Sequence, residues 1–276
     1  MIVAMNLKQT TYVFVLLALP VSAFGQTESP VQSAARPYNL DIAAPVQLAG
    51  SDASSAAFQS EVLPGMLEVA NQSLSETSTV ENINSISLDP SNLVLAEDAT
   101  VRVYFLSEGA GYRNSLGIST TGDGPLGEDA ALIFPDASSA NGFGGSDSGT
   151  RTTREPIAAG DFVDLGTYSA GTKLDFFLIA NGANGGTEYY STDLSLNRDG
   201  IVHAVSLAPD GSAYLMIGFE DLFGGGDRDY NDLLFAVELG KVNVDNLVAL
   251  NTPEPSLALA SMIALAGLAG LRRRTN

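Results

Sequence analysis

From residue 86 onward, apolar and polar positions alternate in short runs divided by glycine-bearing turns. Val101, Val103 and Phe105 alternate with Arg102, Tyr104 and Leu106, the period of two that turns one face of a strand toward a core. Similar runs occupy residues 131–134, 162–168, 174–180, 201–207, 213–219 and 233–239. Between them stand Asp123-Gly124, Asn141-Gly142, Asn181-Gly182, Asp199-Gly200 and Asp210-Gly211, pairs that supply the positive φ that tight turns need. Strands at this spacing predict a single all-β domain over 100–240, of β-sandwich or jelly-roll-like form. The pattern does not reveal strand order, and no internal repeat is visible.

The remaining segments carry weaker patterns. Residues 26–60 are rich in Ser, Ala, Gln and Pro without a sustained period, which predicts a flexible spacer. Residues 61–99 form an ill-defined lead-in, in which 62–74 suit a short helix despite Pro64 and Gly65. Residues 241–252 predict a linker.

Both ends look like processing signals. The first 25 residues place Lys8 before a short apolar run at 12–19, then Pro20 and small residues, with Ala23 and Gly25 positioned for a cut before Gln26. That is the form of a secretory signal peptide, and the run is too short to span a bilayer. Residues 253–276 begin Pro253-Glu254-Pro255-Ser256, continue as an apolar stretch at 257–271, and end on Arg272, Arg273 and Arg274. Fifteen residues of helix cover about 22 Å, short of a ~30 Å hydrocarbon core, so such a helix would span with thinning or snorkelling. The arginines would stay cytoplasmic and the rest of the chain outside.

This tail resembles the PEP-CTERM sorting signal of Gram-negative bacteria that make exopolysaccharide. The resemblance implies export, transient anchoring in the inner membrane by the C-terminal helix, and cutting near 253–255 by a membrane protease of the exosortase type. Pro253, Glu254, Pro255 and the three arginines are then features read by that enzyme. A permanent C-terminal anchor is the alternative.

Charge narrows the functional classes. Lys and Arg number 13 against 32 Asp and Glu, a formal charge of −19, which argues against nucleic-acid partners and favours cations. Removing the two ends takes away Lys8 and three arginines but no acid from 1–25 or 256–276. The chain has no Cys, so an exported form has no disulfides and must rest on its core, on metal, or on both. The one histidine, His203, sits in the strand-like stretch IVHAVSL. It reads as a lone polar residue there, although a Ser-His-Asp hydrolase would have to use it.

The densest chemistry is GFEDLFGGGDRDYNDLLFAVEL at 218–239. An acidic, Gly-rich loop joins two apolar strands, and Glu220, Asp221, Asp227, Asp229, Asn231 and Asp232 fall within thirteen residues. Carboxylates this crowded repel one another, and a hard divalent cation relieves that repulsion; Ca2+ accepts six to eight oxygen ligands in flexible geometry. Asp227, Asp229 and Asn231 share the alternating spacing of an EF-hand loop, with Glu238 at its twelfth position. Asp232 replaces the glycine that such a loop requires, however, and 233–239 reads as a strand, which rules the EF-hand out. Gly224, Gly225 and Gly226 would let the chain double back and bring Glu220 and Asp221 toward Asp227 and Asp229. A solvated acidic turn and a paired-carboxylate glycosidase site are the other readings.

The same segment resembles the domain of unknown function numbered 4114, a family met in PEP-CTERM and multidomain surface proteins. Its hallmark of Glu-Asp, a glycine run and Asp-x-Asp-Tyr-Asn-Asp is present from Glu220 to Asp232. GAGYRNSLG (109–117), DFVDLG (161–166) and FFLIANG (176–182) are similar to segments of such proteins. The family implies a fold and a setting, not an activity. Asn114 could offer a carbonyl to the same ion or simply close a turn. Asp123, Glu128 and Asp129 read as a solvated loop or a second cation site, and Tyr189, Tyr190 and Tyr214 as packing residues or sugar-stacking platforms.

Together these readings predict a non-enzymatic, calcium-stabilised protein of the cell surface or extracellular matrix, associated with exopolysaccharide or biofilm. A calcium-dependent carbohydrate-binding adhesin and a secreted hydrolase are the alternatives.

Overall fold

A computed structural model describes residues 31–74, 88–139 and 151–251. The expected signal peptide and the PEP-CTERM-like tail lie outside the described residues. Among the described residues, no helix is long and apolar enough to cross a membrane.

Among the described residues, nine strands form two antiparallel sheets. They are β1 (Ala99–Ser107), β2 (Ser115–Ser119), β3 (Ala131–Phe134), β4 (Phe162–Tyr168), β5 (Asp175–Ile179), β6 (Tyr189–Ser191), β7 (Ala204–Leu207), β8 (Tyr214–Phe219) and β9 (Leu233–Glu238). One sheet has the order β4-β1-β9-β8-β7, the other β3-β2-β5-β6. Their facing sides share one apolar core: Val101, Val103 and Phe105 of β1 and Phe235 and Val237 of β9 meet Leu116, Phe176 and Leu178 from the other sheet. Two of the strands carry no clear periodic signal. In β2, SLGIS, every residue is buried, and Gly117 is required because a Cβ there would lie 2.3 Å from the Phe177 ring. The three-residue β6 is too short to show a period.

The alternate positions of β1 are also buried, for a reason found upstream in the chain. Helix α1 (Ala53–Ala57), a π turn at Phe58–Val62 and helix α2 (Leu63–Ser73) run across the outer face of the larger sheet. The π turn hydrogen-bonds Leu63 N–H to the Phe58 carbonyl, so residues five apart share a face. Phe58, Leu63, Met66, Ala70 and Leu74 therefore present one stripe to Tyr104, Leu106, Phe162 and Met216. Phe58 stacks on Tyr104 at 3.8 Å between ring centroids. Asp52 caps α1 through Ser55 N–H at 2.7 Å and also pairs with Arg102 at 2.8 Å; Arg102 pairs in turn with Asp164 at 2.6 Å.

The expectation of a flexible spacer therefore needs correcting for its described part, residues 31–60. Val31 and Val46 enter the main core and Phe58 the second one. Tyr38, Leu40 and Ile42 cover Leu132, Phe177 and Ile179 on the outside of the smaller sheet. Between them the chain forms a strap from one sheet to the other. Leu132 N–H donates to Asp41 and Ala43 N–H to Leu132, while Gln47 and Phe162 exchange two backbone bonds. The strap thus satisfies edge groups of both β3 and β4, which an open sandwich would leave bare. It has no period because it is neither helix nor ladder, only apolar anchors at irregular intervals.

The expected linker at 241–252 is also structured in part, as helix α3 (Lys241–Asn251). Val244 and Leu247 enter the main core, and the buried amide of Asn243 accepts from Ala96 N–H (2.7 Å) and Glu97 N–H (3.0 Å) while donating to the Leu239 carbonyl (2.8 Å).

Replacing Phe58 with Ala removes a fully buried ring from beneath α1 and α2. Urea unfolding of the full chain should then show a loss of about 3 kcal/mol or more. A change within ~0.5 kcal/mol, the usual size at a solvated surface position, would mean that this segment does not pack on the sheet.

Candidate metal centre

The acidic loop is the turn of a hairpin between inner strands. Strands β8 and β9 pair in register, with Gly218 opposite Leu234 and Phe219 opposite Leu233. Glu220 and Asp232 follow directly on the two sides, so the ladder itself delivers two carboxyl groups to the same end of the sheet. The loop then folds back on its own root: a Cβ at Gly218 would lie 2.3 Å from the Tyr230 carbonyl oxygen.

Positive φ angles make that return possible. Gly224, Gly225 and Gly226 have φ of 86°, 83° and 43°, and Arg228 and Tyr230 follow at 61° and 57°. A left-handed conformation is costly for Arg and more so for an aromatic residue. At Tyr230 the buried ring offsets it, packing in the cluster under α2 with its hydroxyl donating to the Val202 carbonyl at 3.3 Å. At Arg228 the turn aims the backbone N–H at Glu220 Oε2, 3.1 Å away. Gly226 cannot carry a side chain, because a Cβ would lie 1.9 Å from Glu220 Oε1.

Five carboxyl groups converge as a result. Glu220, Asp221 and Asp232 each offer an oxygen within 4.8 Å of the others, and so do Glu220, Asp227 and Asp229. Glu220 belongs to both groups. Glu220, Asp221 and Asp229 are buried, at 1%, 4% and 3% exposure, whereas Asp227 is exposed. Asn231 is tied to Asp229. Its side-chain amide donates to Asp229 Oδ2 at 2.6 Å and its backbone N–H to Asp229 Oδ1 at 3.2 Å, which orients that carboxylate.

Burial raises Glu220 above the ordinary carboxyl range, opposed by a hydrogen bond with Asp232 and reinforced by the charge of Asp227. Burial raises Asp221 too, opposed by hydrogen bonds from Asn114 and Asp232. Asp232 moves furthest, pushed up to about 9 by burial and then by the neighbouring charges of Asp221 and Glu220. Without a cation, the cluster is tolerable only because some of its carboxyl groups keep their protons.

Residues distant in sequence brace this loop. Asn114 donates to Asp221 Oδ2 at 2.7 Å, while its own Oδ1 accepts from Asn181 N–H at 2.9 Å. It is therefore a positioning group for Asp221, with its carbonyl already engaged. Gly109 N–H donates to the Asn231 carbonyl at 3.0 Å. Asp199 accepts from Gly224 N–H at 2.8 Å, and His203 Nε2 lies 2.9 Å from the same carboxylate oxygen. His203 Nδ1 lies 3.0 Å from the Glu220 carbonyl oxygen, and its ring, fully buried, stacks on Tyr190 at 3.7 Å. Asp199 and His203 carry no motif that would mark them as props for the loop. The only signal available was that a lone histidine in an apolar strand needs polar partners.

The other candidates fall elsewhere. Glu238 stands at the far end of β9, opposite Arg102 and Tyr214. Asp129 fastens its own turn by accepting from Ser119 Oγ (2.7 Å), Thr120 N–H (2.8 Å) and Thr121 Oγ1 (3.0 Å); Asp123 and Glu128 are exposed nearby. Tyr190 is buried, Tyr214 packs against Phe58 at 5.4 Å, and Tyr189 meets Tyr38 edge-on at 6.2 Å. Tyr189 and Tyr214 are half-buried. Residues 253–255 and 272–274 lie outside the described residues.

Fold and loop together define an all-antiparallel β-sandwich with an acidic, glycine-turned loop between two inner strands. Residues 168–240 match the family model described as Domain of unknown function (DUF4114). The matched stretch takes in β5 to β9 and the whole acidic loop; GAGYRNSLG and DFVDLG precede it, although the first reaches the site through Gly109 and Asn114. Neither the curated proteins nor the solved structures include a match to this chain.

A carboxyl group whose pKa is higher in the folded than in the unfolded chain keeps its proton where the unfolded chain has lost it. Its contribution to stability is complete at low pH and disappears as pH rises through the folded value. In EDTA, the melting temperature should therefore fall across the window from the ordinary Asp value of 3.8 toward about 9, and Asp232→Asn should flatten part of that fall. An unchanged slope in the variant would show that Asp232 is not the group responsible.

Proposed function

We propose that this chain is an exported, non-enzymatic protein of the cell surface or extracellular matrix whose β-domain is clamped by Ca2+ at the acidic loop. The observation that carries the cation is the convergence of Glu220, Asp221, Asp227, Asp229 and Asp232, three of them buried. The donor set consists of oxygens alone, which suits a hard cation and not a thiolate- or imidazole-seeking one. His203 is no exception, since both its ring nitrogens already face Glu220 and Asp199. Glu220 would bridge the two carboxylate groups, Asp221 would be held by Asn114 and Asp229 by Asn231. A bound cation would replace the protons on these carboxyl groups and remove the repulsion that otherwise loosens the loop.

Export and sorting are supported by the two chain ends. The resemblance to PEP-CTERM tails supports exosortase processing and a setting rich in exopolysaccharide, where a cation-loaded acidic domain could meet acidic polymer. For an adhesin that stacks sugars on tyrosine, Tyr190 gives no support, because it is buried against His203.

Thermal unfolding of the full chain with EDTA and with calcium tests the clamp. Calcium at ~100 times its dissociation constant should add about 2.7 kcal/mol of stability. Asp227→Asn and Asp229→Asn should each abolish most of the shift. A wild-type melt indifferent to calcium would sink the reading. The sorting signal is tested separately: alanine at Pro253, Glu254 and Pro255 should leave uncut precursor in the inner membrane fraction. Normal cutting and release would exclude these residues as the recognised motif.

A further inference from the structure

The two sheets end, on one side of the sandwich, in β6 and β7. Between these edge strands opens a cavity of about 360 Å³. The turn at residues 88–91 and Asn251, the last residue of α3, form its rim, and Ser191, Thr192, Asn197 and His203 line its interior. The volume lies near the lower end of the range for small-molecule sites, room for one ring.

The hydrogen-bond inventory of the wall decides what fits. Ser91 Oγ donates to Asp89 at 2.6 Å, and Ser191 Oγ and Thr192 Oγ1 both donate to Asp175 Oδ1. Asn197 spends both amide hydrogens on the carbonyls of Ser191 and Ile201. The His203 ring nitrogens are engaged at Glu220 and Asp199. The oxygens are partly engaged too: Ser191 Oγ accepts from Asp193 N–H, Thr192 Oγ1 from Phe176 N–H, Asn197 Oδ1 from Ser191 N–H and Asn251 Oδ1 from Asp89 N–H. What the wall keeps for a ligand is their remaining lone pairs and those of Ser91 Oγ, together with one amide hydrogen of Asn251, whose other donates to Leu247. An acceptor-rich wall calls for a donor-rich guest.

Charge excludes anions. Among the described residues no Lys or Arg lines the cavity, Asp89 stands at the rim, and Asp175 lies behind Ser191 and Thr192, buried, with Oδ2 lacking a partner among those residues. Apolar surface from Leu88, Leu194 and Val202 fills the rest of the wall and suits aliphatic C–H faces. Hydroxyl edges and C–H faces on one compact, uncharged ring are the chemistry of a sugar. We propose that this cavity binds a single neutral, hydroxyl-rich ring of monosaccharide size, at a site beside the acidic loop and joined to it through His203.

The test is amide NMR of the ¹⁵N-labelled full chain titrated with D-glucose, D-galactose, D-mannose and N-acetyl-D-glucosamine, with choline as a cationic comparison. At least one sugar should give saturable shifts at Ser91, Ser191, Asn197 and Ala204, with choline silent. Ser91→Trp, which plugs the mouth, should abolish those shifts. Leu194→Ala, at a wall position that is 43% exposed and outside the core clusters, should weaken binding without changing the melt. Silence with all four sugars overturns the proposal. So do shifts centred elsewhere, binding that survives both variants, and choline binding in place of sugar.

Discussion

The antiparallel register of β8 and β9 is the constraint on which the site depends. These strands lie inside the larger sheet, with β7 and β1 on their outer sides, so their pairing cannot slip without exposing a buried face. Once Phe219 is set opposite Leu233, the thirteen intervening residues must turn within the width of one ladder. Three consecutive left-handed glycines, then Arg228 and Tyr230 in the same region, accomplish that turn. The burial of Tyr230 holds the unfavourable backbone in place, so the loop is pinned in its middle as well as at its ends.

The price of that geometry is electrostatic. Buried carboxyl groups this close cannot all ionise in a protein interior, where charge repulsion is weakly screened. They share protons or they share a cation, and the backbone around them is arranged for either. Arg228 N–H, Asn114 and Asn231 each direct a hydrogen bond at one carboxylate oxygen, which fixes orientation before any ion arrives. On the opposite side, Asp199 holds Gly224, and His203 ties Asp199 to the Glu220 carbonyl. The loop thus has a preformed shape whose charge state is its one adjustable property.

A chain without cysteine achieves its stability by layering. The shared core between the sheets is supplemented by a second cluster under α1 and α2 and a third beneath residues 38–42. Half-buried arginines paired with buried carboxylates lock the ends of longer connections: Arg113 with Asp136, and Arg151 with Asp161. The strap at 41–47 ties both sheets and blunts two edges at once. The segment at 88–95 does comparable work on the other side, pairing Leu88 with Ser206 and Leu93 with Leu174.

Several features were legible in the sequence because they depend on neighbours in the chain. Short apolar runs, alternating with period two at 101–106, marked seven of the nine described strands, Asx-Gly pairs marked turns, and the density of acids between two apolar runs marked the loop. What tertiary structure alone decided has a common physical cause, which is contact between residues far apart in sequence. The Ser- and Ala-rich stretch at 31–60 packs because a handful of apolar anchors meet sheet faces formed much later in the chain, Phe58 on Tyr104 and Ile42 beside Leu132, and no local period records that. Strand β2 is a strand because Phe177 needs the space that Gly117 leaves. Asn114, Asp199 and His203 brace the acidic loop only because the two sheets bring their ends together. The sequence by itself determined which residues carry charge, and the fold decided which of them are buried and close enough to share a proton or an ion.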